Sequence, residues 1–217
     1  MRNVHDLRDF IVDAEHSIGE CKRRRRWELL ECTFPDIKSM SVIDFGGTVE
    51  SWLRAPVRPA SVHIVNLVSM APRVPWIRAD QADVCDLPGR IADGHYDLVF
   101  SNSVIEHVGG HLQRSRFAEA AYKLADRQWI QTPYRYFPIE PHWLFPCYQF
   151  LPLRARSQIS QHWPLARIRS PNSDEGMRAA MGVELLSRAE MTYYFPDSVL
   201  RFERFLGFIK SLIVTRR

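Results

Sequence analysis

Val42-Ile-Asp-Phe-Gly-Gly-Thr48 is the stretch whose reading decides the fold. A short apolar run that stops at glycine predicts a buried strand ending in a tight turn. The strand is expected from Ser41 to Phe45, and a short helix from Val49 to about Arg54, stopped by Pro56. Without a Cβ at Gly46 or Gly47, the backbone can approach a ligand closely. The helix behind the turn aims its free N–H groups at the same place. A full GxGxxG is absent, because Thr48 and Val49 follow Gly47, which argues against a nicotinamide dinucleotide fingerprint. Taken alone, the two glycines fit a purely structural turn equally well.

Outward from this turn the pattern repeats. Val62 to Leu67 reads as a second strand, and a third is expected near Trp76 to Ala79, before a loop carrying Asp80, Asp83 and Asp86. Tyr96 to Phe100 is the expected fourth strand, entered through the turn Asp93-Gly94. Leu112 to Ala125 suits a helix with Phe117, Ala121 and Leu124 on one face. Gln128 to Thr132 is the expected fifth strand, ended by Pro133. Upstream, Leu7, Phe10, Ile11, Ala14, Ile18 and Cys21 keep helical spacing, so a helix is expected from about residue 5 to 30. Two more strands are expected between Ser198 and Arg217, joined at Gly207.

Strands alternating with helices imply a mostly parallel sheet covered on both faces. Right-handed crossovers then leave a crevice at the carboxyl ends of the strands. The expected fold is Rossmann-like α/β, a seven-stranded mostly parallel sheet with a Pro/aromatic-rich cap insertion after strand five. One domain is expected over 1–217: an N-terminal helical segment (1–38), a cofactor-binding core (39–133), a cap or acceptor insertion (134–185) and C-terminal strands (186–217). The insertion rests on composition: residues 133–171 hold seven of the chain's 14 prolines and eight aromatics. Proline at that density argues against a simple helix there, and the aromatics argue against disorder.

Composition narrows the classes. The chain has 217 residues, 46% hydrophobic and 25% charged, ordinary for a globular protein. Cys21, Cys32, Cys85 and Cys147 form no CxxC pair, against a structural zinc site and in keeping with a reducing compartment. No apolar run reaches the roughly 18 residues of a membrane span, and MRNVHDLRDF lacks the apolar core of a signal peptide. A cytoplasmic location is therefore expected. The net charge of +4 includes Arg23 to Arg26, which read either as a solvated helix end or as a surface for a phosphate-rich partner. With no aromatic interleaving or RNA-binding motif, no nucleic acid is expected.

Three segments in order carry a family resemblance: Val42-Ile-Asp44-Phe-Gly46-Gly47, then Ala82-Asp83-Val84-Cys-Asp86-Leu-Pro88, then Tyr96-Asp97-Leu-Val-Phe-Ser101-Asn102-Ser-Val-Ile-Glu106-His107-Val108. Over residues 40–133 the chain resembles the class I, Rossmann-like S-adenosylmethionine-dependent methyltransferases, in their small-molecule branch. The resemblance implies S-adenosylmethionine as cofactor. It places Asp44 and the Gly46-Gly47 backbone against its methionine part, whose ammonium needs an acceptor. Asp83, followed by Val84, matches the acid that binds the adenine amino group. Ser101 and Asn102 lie where the family holds methionine and the incoming acceptor. Asn66 stands where the family carries an acid for the ribose hydroxyls, and its amide oxygen can accept a hydrogen bond without charge assistance.

For catalysis the candidates are His142, His107 and Glu140. His107 belongs to a Glu-His pair that in the family lies near the cofactor and supports its loop. His142 either accepts an acceptor proton, oriented by Glu140, or plays a structural role in its loop. Tyr134, Tyr136 and Trp143 either line an acceptor pocket or build the insertion's own core, and Arg135 suits an anionic acceptor. No metal is expected, since the acids form no recognisable cluster. The expected activity is O- or N-methylation of a small metabolite, sugar or lipid-linked acceptor, with a homodimer as the candidate assembly. A macromolecule methyltransferase and a catalytically decayed cofactor-binding scaffold are the other readings.

Overall fold

The computed structural model describes residues 18–166 and 169–217. The helical spacing between Leu7 and Ala14 lies outside them. The elements are α1 (Ile18–Thr33), β1 (Ser41–Phe45), α2 (Val49–Leu53), β2 (Ser61–Asn66), β3 (Ile77–Gln81), α3 (Gly89–Ala92), β4 (Leu98–Asn102), α4 (His111–Leu124), β5 (Arg127–Pro133), β6 (Ile139–Glu140), β7 (Phe145–Pro146), α5 (Leu153–His162), α6 (Ser173–Met181), α7 (Arg188–Tyr194), β8 (Val199–Phe205) and β9 (Phe208–Arg216).

Among the described residues seven strands form one sheet in the order β3-β2-β1-β4-β5-β9-β8. The first five are parallel. β9 runs antiparallel to β5 and to β8. Chain order reverses between β1 and β4, the place where an open α/β sheet opens a crevice at its carboxyl edge.

Both faces of the sheet are covered, and the central parallel strands β1, β2, β4 and β5 are buried along most of their length, whereas the edge strand β3 is buried only at Ile77. On one face Val42, Ile64, Leu98, Phe100 and Trp129 pack under Leu30 of α1 and Trp52 of α2. Trp27 joins them, stacked on Phe100 at 5.5 Å and edge-on to Trp52 at 5.3 Å. On the other face Ile43, Phe45, Val99 and Ile130 meet Phe117, Ala121 and Leu124 of α4 and Met191 of α7.

Several expectations shift: β3 runs on to Gln81, so Asp80 lies in the strand rather than in the loop after it, and the C-terminal segment begins with the helix α7 before its two strands. The fourth strand starts at Leu98 rather than Tyr96, because Tyr96 and Asp97 are tied into the strand's entry. The Tyr96 N–H donates to Leu124 O, and the Asp97 carboxylate accepts from the Ser41 N–H and hydroxyl. The proline-rich stretch does hold a helix, α5. Pro152 precedes it, Pro164 follows it, and the residues between contain no proline. Proline is tolerated at a helix start, where its missing N–H has no intrahelical partner to lose. In the same region Trp143, Tyr148 and Ala166 form a small core of their own, with Trp143 stacked on Tyr148 at 4.2 Å.

Candidate active site

The turn after β1 is built around a buried carboxylate. Asp44, 1% exposed, pairs in register with Ile64 of β2 and Phe100 of β4. Its Oδ2 accepts a hydrogen bond from Trp52 Nε1 at 2.6 Å, and its Oδ1 is buried without a partner. Burial pushes the carboxyl up to about 7, against the opposing pull of the Trp52 bond. The chain crosses directly over this group. A Cβ at Gly47 would lie 1.6 Å from Asp44 Oδ2, and one at Gly46 would lie 2.6 Å from Val104 Cγ2. Gly46 also has φ +77°, a conformation side chains rarely adopt.

Thr48, standing where the family has a further glycine, is the N-cap of α2. It accepts from Ser51 N, and the Ser51 hydroxyl returns to the Thr48 N–H. α2 is a five-residue helix, so its N-terminal field is slight compared with the Asp44 carboxylate.

Asn66 is the junction of the site. Its Nδ2 donates to Gly46 O at 3.1 Å and Gly47 O at 2.9 Å, and its Oδ1 accepts from Val68 N–H at 3.0 Å. Its backbone carbonyl accepts from Ala82 N–H, which starts the Asp83 loop. The side chain placed on the ribose by resemblance is thus committed to shaping the glycine turn. An Asn66→Asp substitution, which restores the family's usual acid, is therefore expected to weaken rather than strengthen the site. It would set a carboxylate against two carbonyl oxygens, costing about 1–3 kcal/mol. Thermal denaturation and cofactor titration of that variant check this.

Asp83 is exposed, and its Oδ1 accepts from Cys85 N–H at 2.8 Å, which holds the loop in shape. Val84 next to it is buried in the α4-side core. Ser101 is fully buried and donates from its hydroxyl to Phe45 O at 3.1 Å, tying β4 to β1 just below the turn. Asn102 is exposed, and its Oδ1 accepts from Arg26 Nη1 at 2.6 Å. The same guanidinium donates to Gln131 Oε1 at 3.1 Å and Glu203 Oε2 at 2.8 Å. Arg26 is thus one arginine of the run that is not a solvated face. Its three partners lie 76, 105 and 177 residues away, so no local signal could have found them.

The two candidate histidines meet. His142 Nδ1 lies 2.6 Å from Glu140 Oε1, and the other Glu140 oxygen accepts the N–H groups of His142 and Trp143. His142 Nε2 faces His107 Nε2 at 3.1 Å, and His107 Nδ1 lies 3.1 Å from Gly182 O. Beside them Glu106 is 1% exposed: its Oε2 accepts from the Thr132 hydroxyl, and its Oε1 is buried with no partner. Burial pushes the Glu106 carboxyl up to about 7. Glu106 was quoted in the sequence only as part of a motif, and the structure makes it the buried acid of this cluster.

The expected acceptor residues divide. Tyr136 is exposed and Tyr134 half-buried, their rings 5.5 Å apart. Arg135 is engaged by the protein: Nε donates to Leu185 O, and Nη2 pairs with Glu190 at 2.8 Å. Trp143 belongs to the small core that it forms with Tyr148 and Ala166.

No family model matches the chain, and no curated protein sequence matches it. Solved structures do share its fold. A S-adenosylmethionine-dependent methyltransferase from Mesorhizobium loti aligns over 88% of this chain and 97% of its own, with TM-score 0.55 and 16% identity. Magnesium protoporphyrin IX methyltransferase from Synechocystis, with bound S-adenosylhomocysteine, covers 98% and 93% with TM-score 0.55 and 12% identity. The 1,6-didemethyltoxoflavin-N1-methyltransferase of Burkholderia thailandensis, with its named substrate and S-adenosylhomocysteine bound, covers 99% and 83% with TM-score 0.54 and 15% identity. The chain has the Rossmann-like fold of these methyltransferases.

Proposed function

We propose that the chain is an S-adenosylmethionine-dependent methyltransferase acting on an oxygen or nitrogen of a small molecule. The observation that carries this reading is the unpartnered, buried Asp44 oxygen beneath the Gly46-Gly47 turn. A buried anionic oxygen calls for a cation or a donor, and the ammonium of the cofactor's methionine part is one. The turn carries no side chain that would fill the cradle, and Asn66 fixes its carbonyls. Asp83, exposed after β3, offers its carboxylate to the adenine amino group. Val84 backs that loop from the core, and Ser101 and Asn102 border the methionine end.

When bound, S-adenosylmethionine supplies a methyl group already activated on a sulfonium. The residues of this chain then align the acceptor and keep water out. Glu140 holds the Nδ1 proton of His142, so Nε2 is the ring atom that receives a proton from an acceptor hydroxyl or amine. His107 Nε2 lies 3.1 Å from that atom. Tyr134 and Tyr136 flank the approach, and Arg135 and Trp143 fix the surrounding chain. The small-molecule acceptors named for two structures of this fold support an acceptor of that class.

Calorimetric titration with S-adenosylmethionine and, separately, S-adenosylhomocysteine tests the reading. Both are expected to bind, more weakly after Asp83→Ala. No heat and no thermal stabilisation with either would overturn it. The pH dependence is specific. Asp44 ionises in the folded protein at about 7 rather than near its ordinary 3.8. For folding alone this is a cost that sets in as pH rises from 3.8 and is complete above about 7. An ammonium selects the ionised form, so affinity is expected to rise roughly tenfold from pH 6 to pH 8. Asp44→Asn is expected to flatten that rise and to lower affinity at pH 8 by about 10- to 100-fold.

A further inference from the structure

We propose that Glu106, His107 and His142 bind one divalent first-row transition-metal ion. One ligand atom from each lies within 4.8 Å of the others. The proton positions on the rings follow from their partners. His107 Nδ1 faces the carbonyl of Gly182, which can only accept, so Nδ1 carries the proton. His142 Nδ1 faces Glu140, whose second oxygen already accepts two backbone N–H groups, as an ionised carboxylate does. In the neutral rings both lone pairs therefore sit on Nε2, and these two atoms face each other at 3.1 Å. The rings stand at 89°, so they are not stacked. Such a pair takes either a shared proton or a metal cation between its nitrogens.

The surroundings match what imidazole ligands require. A ligating histidine binds through one nitrogen and donates the other N–H to a carboxylate or carbonyl, which fixes the ring. Glu140 and Gly182 O fill those two places. At metal–nitrogen distances of about 2.0–2.1 Å, the 3.1 Å separation corresponds to an angle of about 95–100° at the ion, suited to adjacent ligands. Glu106 adds the negative charge: its carboxylate is buried, and one oxygen has no partner in the protein. Two imidazoles and one carboxylate favour zinc, manganese, iron, cobalt or nickel over calcium or magnesium, which prefer all-oxygen shells. Three ligands leave coordination positions open, and of the three residues only His107 is exposed.

Val104, two residues before Glu106 in the chain, packs over Gly46 of the glycine turn. An oxygen of the methyl acceptor at an open position would be polarised there in place of general-base action by His142. That consequence rests on the methyltransferase reading, whereas metal binding does not.

Tag-free, full-length protein stripped with a chelator and titrated with Co²⁺ tests the site. One equivalent is expected to bind, changing the visible absorption of the ion, and Zn²⁺ is expected to displace it. His107→Ala removes an exposed side chain and so spares the fold. It is expected to weaken Co²⁺ binding at least tenfold and to alter the spectrum. Glu140→Gln keeps all three ligands and is expected to weaken binding about 10- to 100-fold through loss of ring orientation. No absorption change at millimolar Co²⁺ in folded protein would overturn the proposal. So would a spectrum and affinity that His107→Ala leaves unaltered. Titration of the same sample with S-adenosylhomocysteine separates the two readings. Co²⁺ binding without it sinks the methyltransferase reading alone, and the converse sinks the metal site alone.

Discussion

Replacing Gly47 by alanine is expected to remove cofactor binding and to destabilise the fold. The new methyl carbon would lie 1.6 Å from Asp44 Oδ2 and 2.4 Å from Asp44 Cγ. Neither neighbour is the loose end of a flexible side chain. Asp44 is 1% exposed and held by Trp52 Nε1 at 2.6 Å, so either the carboxylate leaves its place or the turn lifts. Both changes undo the cradle. Overpacking of this kind costs about 1–3 kcal/mol. For a chain of this size each kcal/mol lowers Tm by about 2–4 °C. Binding is expected to fall by more than 100-fold, because the displaced carboxylate is the group offered to the ammonium. Gly110→Ala is the control, since a Cβ there meets nothing within 4 Å. A Gly47→Ala protein that binds S-adenosylhomocysteine like the parent would contradict the assignment of the turn.

The second large effect is expected at Arg26. Its guanidinium joins α1 to β4, β5 and β8 through Asn102, Gln131 and Glu203. The ion pair with Glu203 is largely buried, its two side chains 13% and 11% exposed. Burial pushes the Glu203 carboxyl up, but the charge and hydrogen bond of Arg26, together with a hydrogen bond from Ser211 and the charge of Lys210, hold it low. Arg26→Ala would leave that carboxylate and two amide oxygens without their shared donor. Removing one partner of a buried pair costs about 3–5 kcal/mol, and the slight exposure here brings the expected loss to about 2–4 kcal/mol. Adding Glu203→Gln is expected to recover part of it, because the stranded charge goes with it. A thermal or urea melt of the two single variants and the double variant measures the coupling. Full additivity would show that the pair contributes nothing.

Much of the fold was legible because its signals are local. Val42, Ile43 and Phe45 show no polar alternation, as in a strand buried on both faces, Asp44 is the one polar residue among them, and Gly46-Gly47 closes the strand. The helix over Leu112–Ala125 and the strands either side of Gly207 followed from periodicity and turn chemistry in the same way. The helix at Leu153–His162 is hidden in the sequence by the proline content of its region, because the position of each proline decides and not its density. Thr48 looked like a missing glycine, yet Thr48-x-x-Ser51 was there to be read as a cap for the helix behind it.

The site was legible only in part. Asp44, Gly46, Gly47 and Asp83 sit in short segments whose order carries the family resemblance. Asn66 was placed correctly at the end of β2, but the partners of its amide come from β1 and could not be seen from its neighbours. The metal-type cluster escaped because His107 and His142 are 35 residues apart and no acid stands near both in the chain.

The sequence by itself determined which residues become strand, helix and turn, since burial pattern, glycine and proline act within a few residues of themselves. The parallel sheet and its crevice followed from the alternation of those elements. Only the tertiary structure decided which residues meet: Asp44 beneath Gly47, Asn66 against the turn, Arg26 across three strands, and two imidazoles beside a buried glutamate. Those meetings depend on register and on which strand lies beside which, and they are fixed by packing the whole chain at once.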